Sequence, residues 1–239
     1  MRRSTKTMRL LTPVSAALLL GIGLAASPVP KETSEKSVAA QITDLSAQKS
    51  LGSPSAPIKM EVFDDYECPN CGMFYEQTLK PMIDSYVAEG KVYLIHRDLP
   101  LPMHQYSRQA ARWVNAAARI GKFEVVERAL FDNQMAWSEY GSENPKGNIR
   151  PIVKGALTPA EFERVDRLME GCESDSHDEL KGCAVDAAIQ HDIAVGQLVP
   201  VTETPTFIIT YRGQQYPPGV GAISWPLMKQ FLDQLLSQR

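Results

Sequence analysis

The stretch Phe63-Asp64-Asp65-Tyr66-Glu67-Cys68-Pro69-Asn70-Cys71-Gly72-Met73 carries two cysteines three positions apart. An apolar run precedes it (Ile58, Met60, Val62, Phe63), and a helical pattern follows it (Met73, Phe74, Leu79, Met82, Ile83). Strand, Cys-x-x-Cys, helix is the arrangement of a dithiol redox site. The first turn of a helix leaves backbone N–H groups unpaired, and the dipole places partial positive charge there. A thiolate held at that point has a lowered pKa and becomes a nucleophile near neutral pH. Proline suits a helix start, so a helix beginning at Pro69 makes Cys68 that thiol, with Cys71 one turn further in. Two other readings compete. A zinc site needs four ligands, usually from a second close pair, but Cys172 and Cys183 are eleven positions apart and about a hundred residues away. A purely structural Cys68–Cys71 bridge would close too small a loop to add much stability.

Outward from this stretch, the 239 residues suffice for a substantial core, and 44% hydrophobic with 22% charged content is ordinary for a globular protein. At the N-terminus, Arg2, Arg3, Lys6 and Arg9 precede an apolar run from Leu10 to Ala26, the pattern of an export signal or an N-terminal anchor. Residues 1–40 carry six basic and two acidic side chains, a net of +4, in a chain whose total is −3; residues 41–239 therefore carry about −7. Such an acidic body has no basic footprint for nucleic acid. An exported chain meets an oxidising compartment, and four cysteines fit two disulfides.

Residues 1–40 are thus read as the signal or anchor, and 41–55 as a linker, with a short helix around Ile42–Lys49 and the folded part starting near Ala56. Ile58 to Phe63 reads as a strand, Pro69 to about Tyr86 as a helix kinked at Pro81, and Lys91 to Arg97 as a parallel second strand. Helical periodicity takes over from Met103. Tyr106, Ala110, Trp113, Val114 and Ala117 line one face, then Phe123, Val126, Leu130 and Phe131 the next. Asn133–Arg150 reads mostly as loop, with a short helix near Ile152–Ala156. Thr158, Pro159 and Glu161 spell a capped helix start. A last inserted helix carries Leu180, Cys183, Ala187 and Ala194. Strands return at Thr206–Thr210 and near Gln215-Tyr216, and a helix spans Ser224 to Leu236. Cys172 falls on the apolar face of Phe162, Val165 and Met169, and Cys183 on that of Leu180 and Ala187. This predicts a structural disulfide stapling two antiparallel helices, against the alternative of two buried free thiols.

The order is that of an α/β chain, a thioredoxin fold with an α-helical domain inserted after the second strand: 56–102 and 198–239 for the two parts, 103–197 for the insertion. Asp65-Tyr66-Glu67-Cys68-Pro69-Asn70-Cys71, Arg97-Asp98-Leu99-Pro100-Leu101 and Thr204-Pro205-Thr206-Phe207 each resemble the DsbA-like thiol:disulfide oxidoreductases, over roughly residues 55–237. The resemblance implies that Cys68 is the attacking thiol, Cys71 the resolving one, and Pro205 a cis-proline facing the dithiol, with Thr204 offering backbone to an extended substrate. It implies cysteine-containing polypeptide substrates, a membrane quinone-linked oxidase for reoxidation, no bound cofactor or metal, and a periplasmic or other extracytoplasmic location. A reductase or isomerase running electrons the other way, and a non-catalytic binding module, are the competing functions.

Two departures from the family stand out. Asn70 occupies a position where well-known members have histidine, so a cation near the thiolate is missing. Val62 stands where many relatives have a buried glutamate, which leaves the proton acceptor for Cys71 unassigned. His96, His104, His177 and His191 lack metal-ligand spacing with the cysteines and read as structural or surface residues, His104 near the site but without a catalytic role.

Overall fold

A computed structural model describes residues 44–141, 147–172, 174, 178 and 182–238. The expected signal or anchor over residues 1–40 lies outside the described residues, as do Leu180 and His177. Among the described residues no helix is long and apolar enough to cross a membrane.

The sheet is built on two strands whose alternation the sequence shows plainly. β1 (Ser50–Leu51) is short; β2 (Ile58–Asp64) and β3 (Val92–Asp98) run parallel, with Met60 opposite Leu94 and Val62 opposite His96. Between them lies a helical run. α1 (Pro69–Phe74) passes through a π turn (Tyr75–Leu79) into α2 (Lys80–Met82) and a second π turn (Ile83–Val87). The expected helix thus exists, but its α ladder is interrupted on either side of Pro81, which has no N–H to continue it. β4 (Thr206–Tyr211) pairs antiparallel with β2 and carries β5 (Gln214–Gln215) and β6 (Gly219–Val220). The order is β1-β3-β2-β4-β5, with β6 also on β4.

The helices between β3 and β4 form the insertion: α3 (Ser107–Ala118), α4 (Phe123–Asp132), α5 (Gln134–Trp137), α6 (Ile149–Ala156), α7 (Pro159–Leu168) and α8 (Asp186–Leu198). The closing helix is α9 (Trp225–Ser237). α7 starts with a full capping box: Thr158 accepts from the Glu161 N–H while Glu161 reaches back to the Thr158 N–H. One core joins both parts: Phe131 of α4 stacks on Tyr75 with ring centres 4.6 Å apart and lies 5.2 Å from Tyr66.

Three local expectations change. The stretch read as a linker carries β1, which pairs antiparallel with β3, and Lys49 within it is fully buried. Its ammonium binds Asp98, at 2.5 Å, and Asp192, a pairing that burial would forbid to a lone lysine. Within the expected loop 133–150, Gln134–Trp137 is helical because Trp137 is fully buried and donates its indole N–H to Leu130. Cys172 and Cys183 are bridged, with Cα atoms 4.8 Å apart, but both lie in the connection between α7 and α8 rather than on a helix pair: α7 ends at Leu168, and α8 begins only at Asp186.

Candidate active site

β2 delivers the chain to the site and α1 begins there. Cys68 is the N-cap residue of α1, in extended conformation, and Pro69 occupies the first turn. The N–H groups of Cys71 and Gly72 close the first turn on the Cys68 carbonyl, at 3.0 and 3.1 Å. Both thiols are free; Cys68 is 6% exposed and Cys71 fully buried. Across from them the Thr204–Pro205 peptide is cis, and Cys68 Sγ lies 3.6 Å from the Thr204 carbonyl. Gly219 of β6 is required here, since a Cβ would fall 2.1 Å from the Phe207 ring, which stacks on Phe74 of α1.

The two thiols are driven apart. A hydrogen bond from the Cys71 thiol, opposed by partial burial and helped by the Cys71 and Asn70 backbone, brings Cys68 from 9.0 down to about 6. Burial, the same hydrogen bond and the charge of Asp64 push Cys71 well above its ordinary value. Cys68 is therefore a thiolate at neutral pH and Cys71 a thiol.

Asp64 shares the strand phase of Met60 and Val62, and it is buried with neither oxygen hydrogen-bonded among the described residues. His96 Nδ1 lies 3.5 Å from Asp64 and 2.7 Å from Glu127. Burial opposes the charge on His96, but the two carboxylates outweigh it and raise the imidazole to about 10, so it is protonated. Of the two readings, structural or surface, His96 is the structural one, buried in an ion pair. The alternation that places Glu61 on the other face, bound to Arg97, also puts Asp64 on the dithiol side.

The segment before Cys68 is held by the insertion. Asp65 is a hub: one oxygen accepts the N–H groups of Glu67 and Cys68, the other the Leu101 N–H and His104 Nδ1 at 2.7 Å. Glu67 accepts the N–H groups of Tyr106 and Glu139, and Gln134 Nε2 donates to the Tyr66 and Cys68 carbonyls. His104 lies near the site as expected, but its bond to Asp65 was not legible, and Tyr106, Gln134 and Glu139 carry no sequence signal of their contacts; the four lie 36 to 71 positions from Cys68 and the fold brings them there.

The structure therefore brings Cys68, Cys71, Thr204 and Pro205 into one site and leaves Cys172 and Cys183 elsewhere, in the α7–α8 connection of the insertion. Comparison with known proteins agrees with this geometry. Among solved structures, Wolbachia pipientis alpha-DsbA1 superposes with a TM-score of 0.60 at 19% identity, covering 78% of this chain and 89% of that one. BdbD from Bacillus subtilis does so with 0.57 at 15% identity, covering 82% and 96%. These share the fold. In sequence, a probable disulfide bond formation protein D of Bacillus cereus is 32% identical over 98 residues, 41% of this chain and 44% of that protein. The Na(+)/H(+) antiporter NhaA 3 of Salinispora tropica is 25% identical over 181 residues, 75% of this chain and 24% of that protein. The chain thus spans less than half the length of these curated relatives. Residues 45–224, which take in the dithiol, the insertion and the Thr204–Pro205 turn, match the family model described as thioredoxin, and the chain belongs to the thioredoxin family.

Proposed function

We propose that the chain is a thiol:disulfide oxidoreductase that introduces disulfides into cysteine-containing polypeptides outside the cytoplasm. The observation that carries this is the split between the thiols: Cys68, low in pKa at a helix start and facing the Thr204–Pro205 turn, and Cys71, buried and protonated. A substrate thiolate attacks the Cys68 sulfur of the oxidised pair. The Cys68–Cys71 bond breaks, a mixed disulfide forms on Cys68, and Cys71 leaves and takes up a proton. A second substrate thiolate then attacks the substrate sulfur and expels Cys68 as a stable thiolate. The low Cys68 pKa stabilises the reduced enzyme and so favours the oxidant direction over reduction or isomerisation. Thr204 offers backbone beside the sulfur to an extended substrate.

Asp64 serves the proton of Cys71. It is a buried carboxylate whose ion-pair neighbour is His96 at 3.5 Å, and its charge acts on that thiol. Reoxidation falls to a membrane quinone-linked oxidase. The name of the Bacillus cereus relative, a disulfide bond formation protein, supports the oxidant direction alone. No bound cofactor enters these steps.

The test is trapping. Reduced, unfolded substrate protein mixed with oxidised wild type becomes disulfide-bonded, and Cys71→Ser charged with a small aromatic disulfide accumulates a mixed disulfide on Cys68. Trapping through Cys71 in Cys68→Ser, or no transfer by the wild type, sinks the assignment. With Asp64→Asn, attack of Cys71 on a preformed Cys68 mixed disulfide slows on the order of 10²-fold at neutral pH, the scale of a lost general base; an unchanged rate removes Asp64 from the mechanism.

A further inference from the structure

The Pro69-Asn70 dipeptide between the cysteines contains no cation, and the segment in front of them is acidic. Asp65 and Glu67 are both buried, and the Asp65 carboxylate accepts the Cys68 backbone N–H at 3.3 Å. A buried negative charge this close works against a thiolate. Both carboxylates accept backbone N–H groups, and Asp65 also has one cationic partner among the described residues, His104, at 2.7 Å. His104 is 6% exposed and comes from the loop between β3 and α3.

We infer that His104 is a redox-linked proton site: its imidazolium neutralises Asp65 when Cys68 is a thiolate, and releases the need for that charge when Cys68 and Cys71 are joined. This rests on the reading of Cys68 as the reactive thiol. The groups facing His104 are Asp65, Glu67 and Cys68 from the β2–α1 segment and Tyr140, edge-on at 5.7 Å, from the turn after α5. Its own loop, residues 99–106, holds no other acidic or basic side chain. Among the described residues, the charges that face it favour the protonated ring. The hydrogen bond to Asp65 raises the His104 pKa most, burial opposes, and the charges of Asp65, Cys68 and Glu67 add to the rise.

The Cys68 contribution exists only in the reduced protein, because a disulfide has no charge. Coupling between two sites is reciprocal, so whatever the thiolate does to His104, the imidazolium does to Cys68. Two substrate thiols give up two electrons and two protons to form their disulfide. The electrons reduce the Cys68–Cys71 bond, one proton stays on Cys71, and Cys68 keeps none. The second proton goes to His104 when the ring is neutral, and to water when it is already charged.

The histidine resonances of the oxidised and reduced protein are followed against pH by NMR, with the His104 signal identified by its loss in His104→Gln. The His104 midpoint is expected roughly one pH unit higher in the reduced wild type than in the oxidised one, and no such rise is expected in reduced Cys68→Ser. By the same coupling, His104→Gln, which keeps an N–H donor for Asp65, moves the pH midpoint of Cys68 alkylation upward by roughly one unit. Equal His104 midpoints in the two redox states, or an unmoved Cys68 midpoint in His104→Gln, overturns the inference while leaving the oxidoreductase reading intact. Alkylation of Cys71 ahead of Cys68 in the wild type overturns both. A purely structural His104 would alter stability in both redox states and shift neither midpoint.

Discussion

At the residue scale, Cys68 and Cys71 share one helical turn yet titrate in opposite directions. The difference is positional: Cys68 caps the helix and keeps a little exposure, and Cys71 is fully buried beside the charge of Asp64. The folded value of Cys68, about 6, is below its ordinary 9.0, so the stabilisation it brings to the reduced fold is fully present above pH 9 and is lost as pH falls through 6. The oxidised protein lacks this titration. The Tm of the reduced protein minus that of the oxidised one is therefore expected to fall steadily from pH 8 to pH 6 and to level off below. A difference that stays flat across that window would mean Cys68 is not a thiolate in the fold.

At the element scale, the dithiol segment is fixed less by its own helix than by the insertion. Gln134, at the start of α5, spans the Tyr66 and Cys68 carbonyls, and a Cβ on Gly72 would sit 2.5 Å from its Oε1. Gly72 is small so that Gln134 can reach. Gln134→Ala leaves the buried Tyr66 carbonyl without this donor and should cost on the order of 1–3 kcal/mol in denaturant unfolding. It should also loosen the segment ahead of Cys68, read as faster amide exchange at Glu67 and Cys68. Full retention of both stability and protection would show that Asp65 and Glu67 hold the segment unaided.

At the scale of the whole molecule, Lys49 ties three remote pieces together. It comes from the segment before β1 and meets Asp98 at the end of β3 and Asp192 on α8, while Arg97 binds Asp192 and Glu61. Asn115 of α3 completes Asp98 with a hydrogen bond of 2.6 Å. Burial works against Asp192, but Lys49 and Arg97 hold its carboxyl well below the usual range; burial lifts Asp98 despite Lys49. Lys49→Met takes the ammonium away from two buried carboxylates, a loss of about 3–5 kcal/mol by equilibrium unfolding. A loss under 1 kcal/mol would show that Arg97 and Asn115 satisfy the pair by themselves.

The sequence by itself determined whatever depends on neighbours within a turn or a strand. Pro69 after Cys68 sets the helix start, Thr158 with Glu161 sets a cap, and the alternation of Ile58, Met60 and Val62 sets the strand that carries them. The order of these elements, with the Thr204-Pro205-Thr206-Phe207 stretch, was enough for the thioredoxin fold and its inserted helices. The tertiary structure alone decided what surrounds the sulfurs. β1 has two residues, too few to show a period, and Lys49 looks like a solvated charge until two aspartates from elsewhere bury it. Asp64 could be placed on the dithiol face by its phase with Val62, but its neighbour His96, and Glu127 paired with that imidazole, could not. His104 reaches Asp65 from 39 positions away. Electrostatics act through space over a few ångströms, so the charges that tune Cys68 and Cys71 are fixed by packing, whereas helix starts and strand faces are fixed along the chain.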